Sequence, residues 1–262
     1  MRKIAIINQK GGCGKTTTAV HLSATLAEMG HRVLAIDCDS QGDLSTVYLP
    51  DHERLPCSIA DIFANTGAFT ADILHPTPYQ NLAVIPADER LNAHDLTHGY
   101  EDDPRAHCLA DALSEVEADF DLVIFDCPPR THLTTFAALV ASTDVIVPVE
   151  PHEFAIRGTI KLNREVDLAR GRLNPGLKIR GYFLSMVKPR SATHRSYRQL
   201  LVSALGPDLI FKTAIPELAA FDTALNMGLP ITAYQPRGKA AGIMREFAQE
   251  LLEESHGSEV AA

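Results

Sequence analysis

Ile4-Ala-Ile-Ile7 leads through Asn8 and Gln9 into Lys10-Gly-Gly-Cys-Gly-Lys-Thr-Thr-Thr18, and the segment beyond carries apolar residues at Ala19, Leu22, Leu26 and Met29. An apolar run, a glycine turn and a helical period, in that order, form the context in which a phosphate loop works. Gly11, Gly12 and Gly14 let successive backbone N–H groups converge on phosphate oxygens, and the helix that follows presents its positive dipole end. Lys15 is placed to reach the β- and γ-phosphates, and the Thr16 hydroxyl to ligate Mg²⁺. The loop departs from the plain G-x-x-x-x-G-K-[ST] pattern, since Gln9 stands at the first glycine position and a second lysine, Lys10, follows it.

Working outward, apolar runs alternate with helical patterns nearly from end to end, the βαβ rhythm of an α/β, doubly wound, mostly parallel sheet flanked by helices. Strands are expected at 3–8, 32–36, 82–86, 122–125, 145–149, 179–186 and, briefly, 209–211. Helices are expected at 16–29, 105–117, 133–141, 156–170, 194–205, 219–226 and 239–254. Between Pro50 and Tyr79, Pro, Gly and Asp interrupt the pattern, which predicts loops around one short helix near 59–64. The chain reads as a single domain over 1–254 with a short, polar, flexible tail at 255–262.

Of the 262 residues 45% are hydrophobic and 22% charged, as in an ordinary soluble globule. No apolar run approaches the roughly 20 residues that span a bilayer, and no secretory h-region precedes the first strand. The five cysteines (13, 38, 57, 108 and 127) show no CxxC and no zinc spacing, which predicts free thiols in a reducing cytoplasm. Cys13 lies in the phosphate loop, where a small residue is tolerated. The net charge of −9 is unevenly spread: residues 155–198 hold eleven Lys/Arg against Glu165 and Asp167, and the remainder holds 13 basic and 31 acidic residues. Such asymmetry fits either a polyanion-binding surface or a solvated basic face.

Leu-Val-Ile-Phe-Asp126 is an apolar strand ending in an acid, as in a buried parallel strand whose carboxyl end meets a ligand, and Asp126 can hold Mg²⁺ through water. Pro128-Pro129 then turns the chain out of the sheet. Val33-Leu-Ala-Ile36 delivers Asp37 and Asp39 to the same edge. On an extended segment these two acids face opposite ways, so that one supports the metal shell and the other orients a water for in-line attack.

Taken together, these stretches resemble the ParA family within the ParA/MinD class of dimerising P-loop ATPases with a deviant Walker A motif. KGGxGKTT matches residues 10–17. Asp37-Cys-Asp-Ser-Gln-Gly42 is similar to DxDPQGN, with Ser40 and Asp43 in place of proline and asparagine. Asp126-Cys-Pro-Pro is similar to DxPP, with Arg130 where serine is commoner. Val147-Pro-Val-Glu-Pro151 with Phe154 and Gly158, Phe211-Lys-Thr-Ala-Ile-Pro216 and Gly228-Leu-Pro-Ile231 match further segments, so the likeness covers about 250 residues. The resemblance implies ATP and Mg²⁺ as cofactors. The nucleotide would be held by Lys10, Gly11, Gly12, Cys13, Gly14, Lys15, Thr16, Thr17 and Pro216, and the metal by Thr16, Asp37 and Asp126. Lys10, Lys15 and Asp39 would carry catalysis, with Lys10 reaching across a two-fold interface and Asp39 promoting hydrolysis.

The resemblance further implies an ATP-dependent sandwich homodimer that binds double-stranded DNA without sequence preference. Such a dimer positions a cargo on the nucleoid and is reset by a ParB-like or cargo-adaptor protein that stimulates hydrolysis. Many ParA proteins carry arginines after the IP dipeptide, whereas here the chain reads Glu217-Leu-Ala-Ala-Phe-Asp-Thr. DNA contacts must then come from elsewhere, such as Arg237, Lys239 and Arg245 or the stretch 188–198, and they are expected at Lys188, Arg190, Arg195 and Arg198. No helix-turn-helix segment precedes the first strand, as in the short members of the family. The alternative is a MinD-like membrane organiser. Against it, the last helix sets Glu246, Glu250, Glu253 and Glu254 beside Ile243, Phe247 and Leu251, and those charges repel an anionic surface. An iron–sulfur carrier on the same fold needs paired cysteines, and a small-molecule synthetase needs a further catalytic cluster. This sequence shows neither.

Overall fold

The computed structural model describes residues 1–64, 70–95, 98–151, 155–188 and 192–253, with the backbone alone for 155–160 and 192–195. From the amino terminus the chain forms β1 (Arg2–Ile6), α1 (Lys15–Glu28), β2 (Val33–Asp37), α2 (Asp43–Tyr48), α3 (Ile59–Ala64), α4 (Thr70–Ile73), β3 (His75–Pro76) and β4 (Leu82–Ile85). Then come α5 (Cys108–Ser114), β5 (Leu122–Asp126), α6 (Leu133–Ala141), β6 (Asp144–Val149), α7 (Ala155–Arg172), β7 (Lys178–Leu184), α8 (Ala192–Leu205), α9 (Ala219–Asn226), α10 (Ile231–Tyr234) and α11 (Lys239–Leu252). The strands make one seven-stranded sheet in the order β3-β4-β2-β5-β1-β6-β7. It is parallel throughout except for the β3–β4 edge.

Strand alternation decides what each face of the sheet packs against. Ile4 and Ile6 of β1, Val33 and Ala35 of β2, and Leu122 and Ile124 of β5 pack into one core with α1, α9 and α11. Ala5, Ile7, Leu34, Ile36, Val123 and Phe125 pack into a second core with α3, α5, α6, α7 and α8. The continuous apolar runs read from sequence are thus the signature of strands buried on both sides. Helix α6 is buried along its whole length. Leu133, Phe136 and Leu139 are fully shielded and contribute about 1.5–3 kcal/mol each, which anchors the loop after Asp126.

Register carries this alternation to the functional edge. Asp126 sits beside Ile6 on one flank and beside Asp37 on the other, so β1, β5 and β2 end level. Two residues beyond Ile124 and Ala35, Asp126 and Asp37 continue the face on which α1 lies.

Three expectations are corrected. The 209–211 strand is absent: Pro207–Leu209 is a 3₁₀ turn and Ile210 makes a single bridge to Tyr182. Phe211 N donates to the Tyr182 carbonyl at 2.9 Å and the ladder goes no further; a Cβ on Gly181 would meet the Phe211 ring at 2.8 Å, so the ring packs on bare backbone there. The helix expected at 105–117 is a 3₁₀ turn, Pro104–His107, leading into the shorter α5. Asp103 sets that start by accepting from the Arg105 N–H. The polar turn after Asp39 contains α2, and the region 50–79 holds α4 and the edge strand β3 in addition to the expected α3. Residues 255–262 lie outside the described residues.

Candidate functional site: a phosphate loop backed by two buried acids

The loop between β1 and α1 turns on two glycines in the left-handed region, Gly12 at φ 70° and Gly14 at φ 87°. A Cβ at Gly14 would find its nearest neighbour at 3.9 Å, so conformation rather than space demands glycine there. Gly14 is also the N-cap of α1 and offers no side chain, which leaves the first-turn N–H groups available to an anion. Lys15 is buried and its Nζ donates to the Lys10 carbonyl at 3.1 Å, across the mouth of the loop. The Cys13 thiol donates to the same carbonyl at 3.2 Å, and burial raises its pKa although Lys15 opposes this. Ser185, just past β7, donates to the Cys13 carbonyl at 2.7 Å and so ties the loop to the far strand.

These groups open on a cleft of about 330 Å³ whose lining includes Gly11, Gly12, Gly14, Lys15, Thr16 and Thr17. The same cleft is lined by Met186, Pro216, Leu218 and Phe221 and by the acids Asp39, Asp43, Glu217 and Asp222. Met186 holds a left-handed backbone at φ 54°, an uncommon state for a side chain of its size. The structure therefore brings Pro216 to the same cleft as the phosphate loop, 200 residues away in sequence. Met186, Glu217, Leu218, Phe221 and Asp222 escaped sequence reasoning. Glu217 and the residues after it stand out only where basic residues are expected.

Behind Thr16 lie the two acids. Asp37 is fully buried and well provided: its Oδ2 accepts from Ser45 N at 2.9 Å and from Ser45 Oγ at 2.7 Å, and its Oδ1 from Asp39 N at 3.1 Å. Burial raises its pKa to about 6 despite those donors. Asp126 is buried too, and neither of its oxygens has a hydrogen-bond partner. Burial, then the neighbouring Asp37, push its pKa well above the carboxylate range. The Thr16 hydroxyl and the Lys15 charge stand close enough to oppose that rise, although neither forms a bond of ordinary length to it. A buried, orphaned carboxylate beside a threonine hydroxyl and a second acid is a hard-oxygen donor set. It fits Mg²⁺, whose charge would satisfy what the protein leaves unpaired.

The expected alternation of Asp37 and Asp39 on one extended strand is not found. β2 ends at Asp37 and the chain bends, and the Asp39 carboxylate, accepting from Gln41 N, faces the cleft. Asp39 also borders a second cavity of about 310 Å³ lined by Arg130, His132, Asp95 and Asn92. Lys10 is exposed, does not line its own cleft, and pairs with Glu150 at the end of β6. Gln9 donates to Thr131 Oγ1 at 3.0 Å, joining the phosphate loop to the loop after Asp126.

The expected DNA contacts are not one array of bare cations. Lys188 faces Glu217 at 3.4 Å, and Arg198 donates to the Lys212 carbonyl at 2.9 Å. Arg190, like Phe154, lies outside the described residues, as does the side chain of Arg195. Elsewhere in the basic segment Arg170 pairs with Asp167 and Arg172 with Asp102.

Residues 1–179 match the family model described as an AAA domain. Over 248 residues the chain is 36% identical to the sporulation initiation inhibitor protein Soj of Bacillus subtilis, covering 95% of this chain and 97% of that one. The chromosome partitioning protein ParA of Caulobacter vibrioides is 32% identical over 254 residues, covering 96% and 94%. The chain belongs to the ParA family of P-loop ATPases. Among solved structures, cobyrinic acid a,c-diamide synthase of Mycobacterium smegmatis, with an ATP analogue and magnesium bound, is 30% identical with a TM-score of 0.81. That likeness covers 95% of this chain and 93% of the other. The septum site-determining protein MinD of Pyrococcus horikoshii, complexed with Mg-ADP, shares the fold at 24% identity, a TM-score of 0.77 and 96% coverage of both chains.

Proposed function

We propose that this ParA-family ATPase binds Mg·ATP in the cleft, closes with a second copy into a sandwich dimer, binds DNA without sequence preference and positions a cargo. Hydrolysis stimulated by a ParB-like or cargo-adaptor protein resets it. The observation that carries this reading is the division of labour between the two lysines. Lys15 is buried within its own cleft, whereas Lys10 stands exposed at the rim and takes no part in lining it. An exposed ammonium beside the loop, paired with Glu150 in the single chain, supports a role toward the cleft of a second copy. In the bound state Lys15 and the loop N–H groups neutralise phosphate charge, and Thr16, Asp37 and Asp126 hold the metal. Asp39 orients the attacking water. Mg²⁺, when bound, would supply positive charge that offsets the charge developing on the phosphate.

The relatives named for chromosome partitioning support the positioning role, and residues 1–254 are read as one ATPase unit. A nucleoid matrix is favoured over a membrane. Among the described residues no helix is long and apolar enough to cross a bilayer. In α11, Phe247 and Leu251 are spent in the core while Glu246 and Glu250 stand outside or at its edge. DNA retention should be measured with ATP, with ADP and in an Arg195→Ala/Arg198→Ala double variant, at low and moderate salt. ATP-dependent binding that weakens in the variant, and falls by about 0.9 log units per phosphate contact per decade of salt, is expected. ATP-bound protein that ignores DNA at low salt would overturn the nucleoid reading.

A further inference from the structure

Ser45 is fully buried in the first turn of α2, a helix that follows directly on the Asp37–Asp39 segment. Its backbone N–H and its hydroxyl both donate to Asp37 Oδ2, at 2.9 and 2.7 Å. The same hydroxyl oxygen accepts from Ala87 N at 2.9 Å, just beyond the end of β4. One small side chain therefore ties the Asp37 carboxylate to two backbones at once.

Helix α2 is itself fixed against the phosphate helix. Tyr48, a turn beyond Ser45, donates to the Val20 carbonyl of α1 and shares a 2.9 Å hydrogen bond with Ser23 Oγ. At its other end α2 begins on Gly42 at φ 66°, where a Cβ would meet His52 Nε2 at 2.8 Å. A continuous path of packed and hydrogen-bonded groups thus runs from α1 through Tyr48 and Ser45 to Asp37. It sets the distance between an acid of the metal shell and the helix that bears Thr16.

We propose that Ser45 is a positioning residue for the magnesium shell: it holds the Asp37 carboxylate in the one orientation that faces the metal, and links that orientation to α1 and β4. The inference rests on the reading of Asp37 given above. Partners one shell out from a metal orient the groups around it, and their loss costs about 10–100-fold in metal affinity. Ser45→Ala removes one of the two donors to Oδ2 and leaves the Ala87 N–H without its acceptor, and the carboxylate gains freedom to rotate.

The test measures ADP binding by calorimetry in the full chain, without Mg²⁺ and across a magnesium chloride titration. The proteins are wild type, Ser45→Ala, Ser45→Thr and Asp37→Asn. Without Mg²⁺, Ser45→Ala is expected to bind ADP within about twofold of wild type, since no phosphate-loop group has changed. The Mg²⁺ concentration giving half of the magnesium-dependent gain should rise about tenfold or more in Ser45→Ala, and return toward wild type in Ser45→Thr, which keeps the hydroxyl. An unchanged magnesium dependence in Ser45→Ala, alongside a shifted one in Asp37→Asn, overturns the role of Ser45 and leaves Asp37 in place. If Asp37→Asn shifts nothing either, the assignment of Asp37 to the metal shell fails. Equal losses in Ser45→Thr and Ser45→Ala would reduce Ser45 to a packing residue and also refute the proposal. Should Ser45→Ala not fold, Ser45→Cys, similar in volume and weak as a donor, takes its place under the same criteria.

Discussion

Asp37→Asn should change how the nucleotide-free protein responds to pH, and the size of the change follows from burial. The carboxyl is fully enclosed and its pKa stands at about 6 against an ordinary 3.8, chiefly because ionisation must occur out of water. A displacement of about two units corresponds to about 3 kcal/mol. Its sign is that of a raised acid. The folded state keeps the proton that the unfolded chain gives up, so the stabilisation is complete below about pH 4 and gone by about pH 6. His21 works the other way in nearly the same window. Buried against Phe221 with its Nδ1 accepting from Ile231 N, it is held neutral with its pKa lowered to about 4. Its contribution, again about 3 kcal/mol, is present above pH 6.5 and lost as the pH falls through 4.

In the wild type these two slopes oppose each other and the net curve is shallow. Asp37→Asn removes one of them. Urea unfolding followed by circular dichroism, in EDTA, from pH 4.5 to 7.5, should show the variant losing about 2 kcal/mol more than wild type on acidification, the part of the full effect that falls inside this window. Because Asp37 is the second cause of the raised Asp126 pKa, the variant's relative gain should extend above pH 6. Any cost of placing an amide against the Ser45 and Asp39 donors is independent of pH and shifts the curve without tilting it. Parallel curves for the two proteins would refute the claim that Asp37 is a desolvated acid awaiting a cation.

Lys15→Ala should keep its fold and lose nucleotide affinity by about 2–5 kcal/mol, the cost of removing one partner of a desolvated charge pair, and calorimetry with Mg·ATP reads this directly. Lys10→Ala should bind ATP as a monomer and hydrolyse it at background rate, because each of two symmetric sites loses a charge-assisted contact; light scattering with ATP checks the oligomeric state. Asp39→Ala should leave phosphate and metal ligands intact and prolong the ATP-bound dimer, measured as turnover against dimer lifetime. Normal turnover there would move water activation to another group.

The phosphate loop, the βα rhythm and the acids at strand ends were legible because each is written in consecutive residues. Ile4–Ile7, Val33–Ile36 and Leu122–Phe125 carry no polar interruption, and only a strand covered on both faces needs that. Tertiary features were less accessible. α2 hides in a stretch rich in Asp, Ser, Gln and Gly that reads as a turn, and it forms because Gly42 supplies the left-handed start and Tyr48 bolts it to α1. The short strand at 209–211 failed for the opposite reason. Its apolar residues were sound, but the pairing stops at one bridge: Ile210 sits beside Tyr182, Phe211 N donates to the Tyr182 carbonyl at 2.9 Å, and the Phe211 ring packs on bare Gly181.

Asp37 and Asp126 show how a period-two rule becomes chemistry. Each ends a strand whose preceding residues alternate between the two cores, and each falls two places beyond a residue of the α1 core. The next residues, Cys38 and Cys127, fall on the opposite face and are absorbed by the other core. A one-residue slip of β2 or β5 would exchange these roles, sending a thiol toward the phosphate helix and a carboxylate into an apolar core. The apolar cost of such a slip, paid along the whole strand, locks the register. Packing energy far from the cleft thus fixes which two of four adjacent side chains meet behind Thr16. The unpaired state of the Asp126 oxygens is tolerable for the same reason: the strand beneath it has nowhere else to go, so packing holds the acid where the proposed cation would complete it.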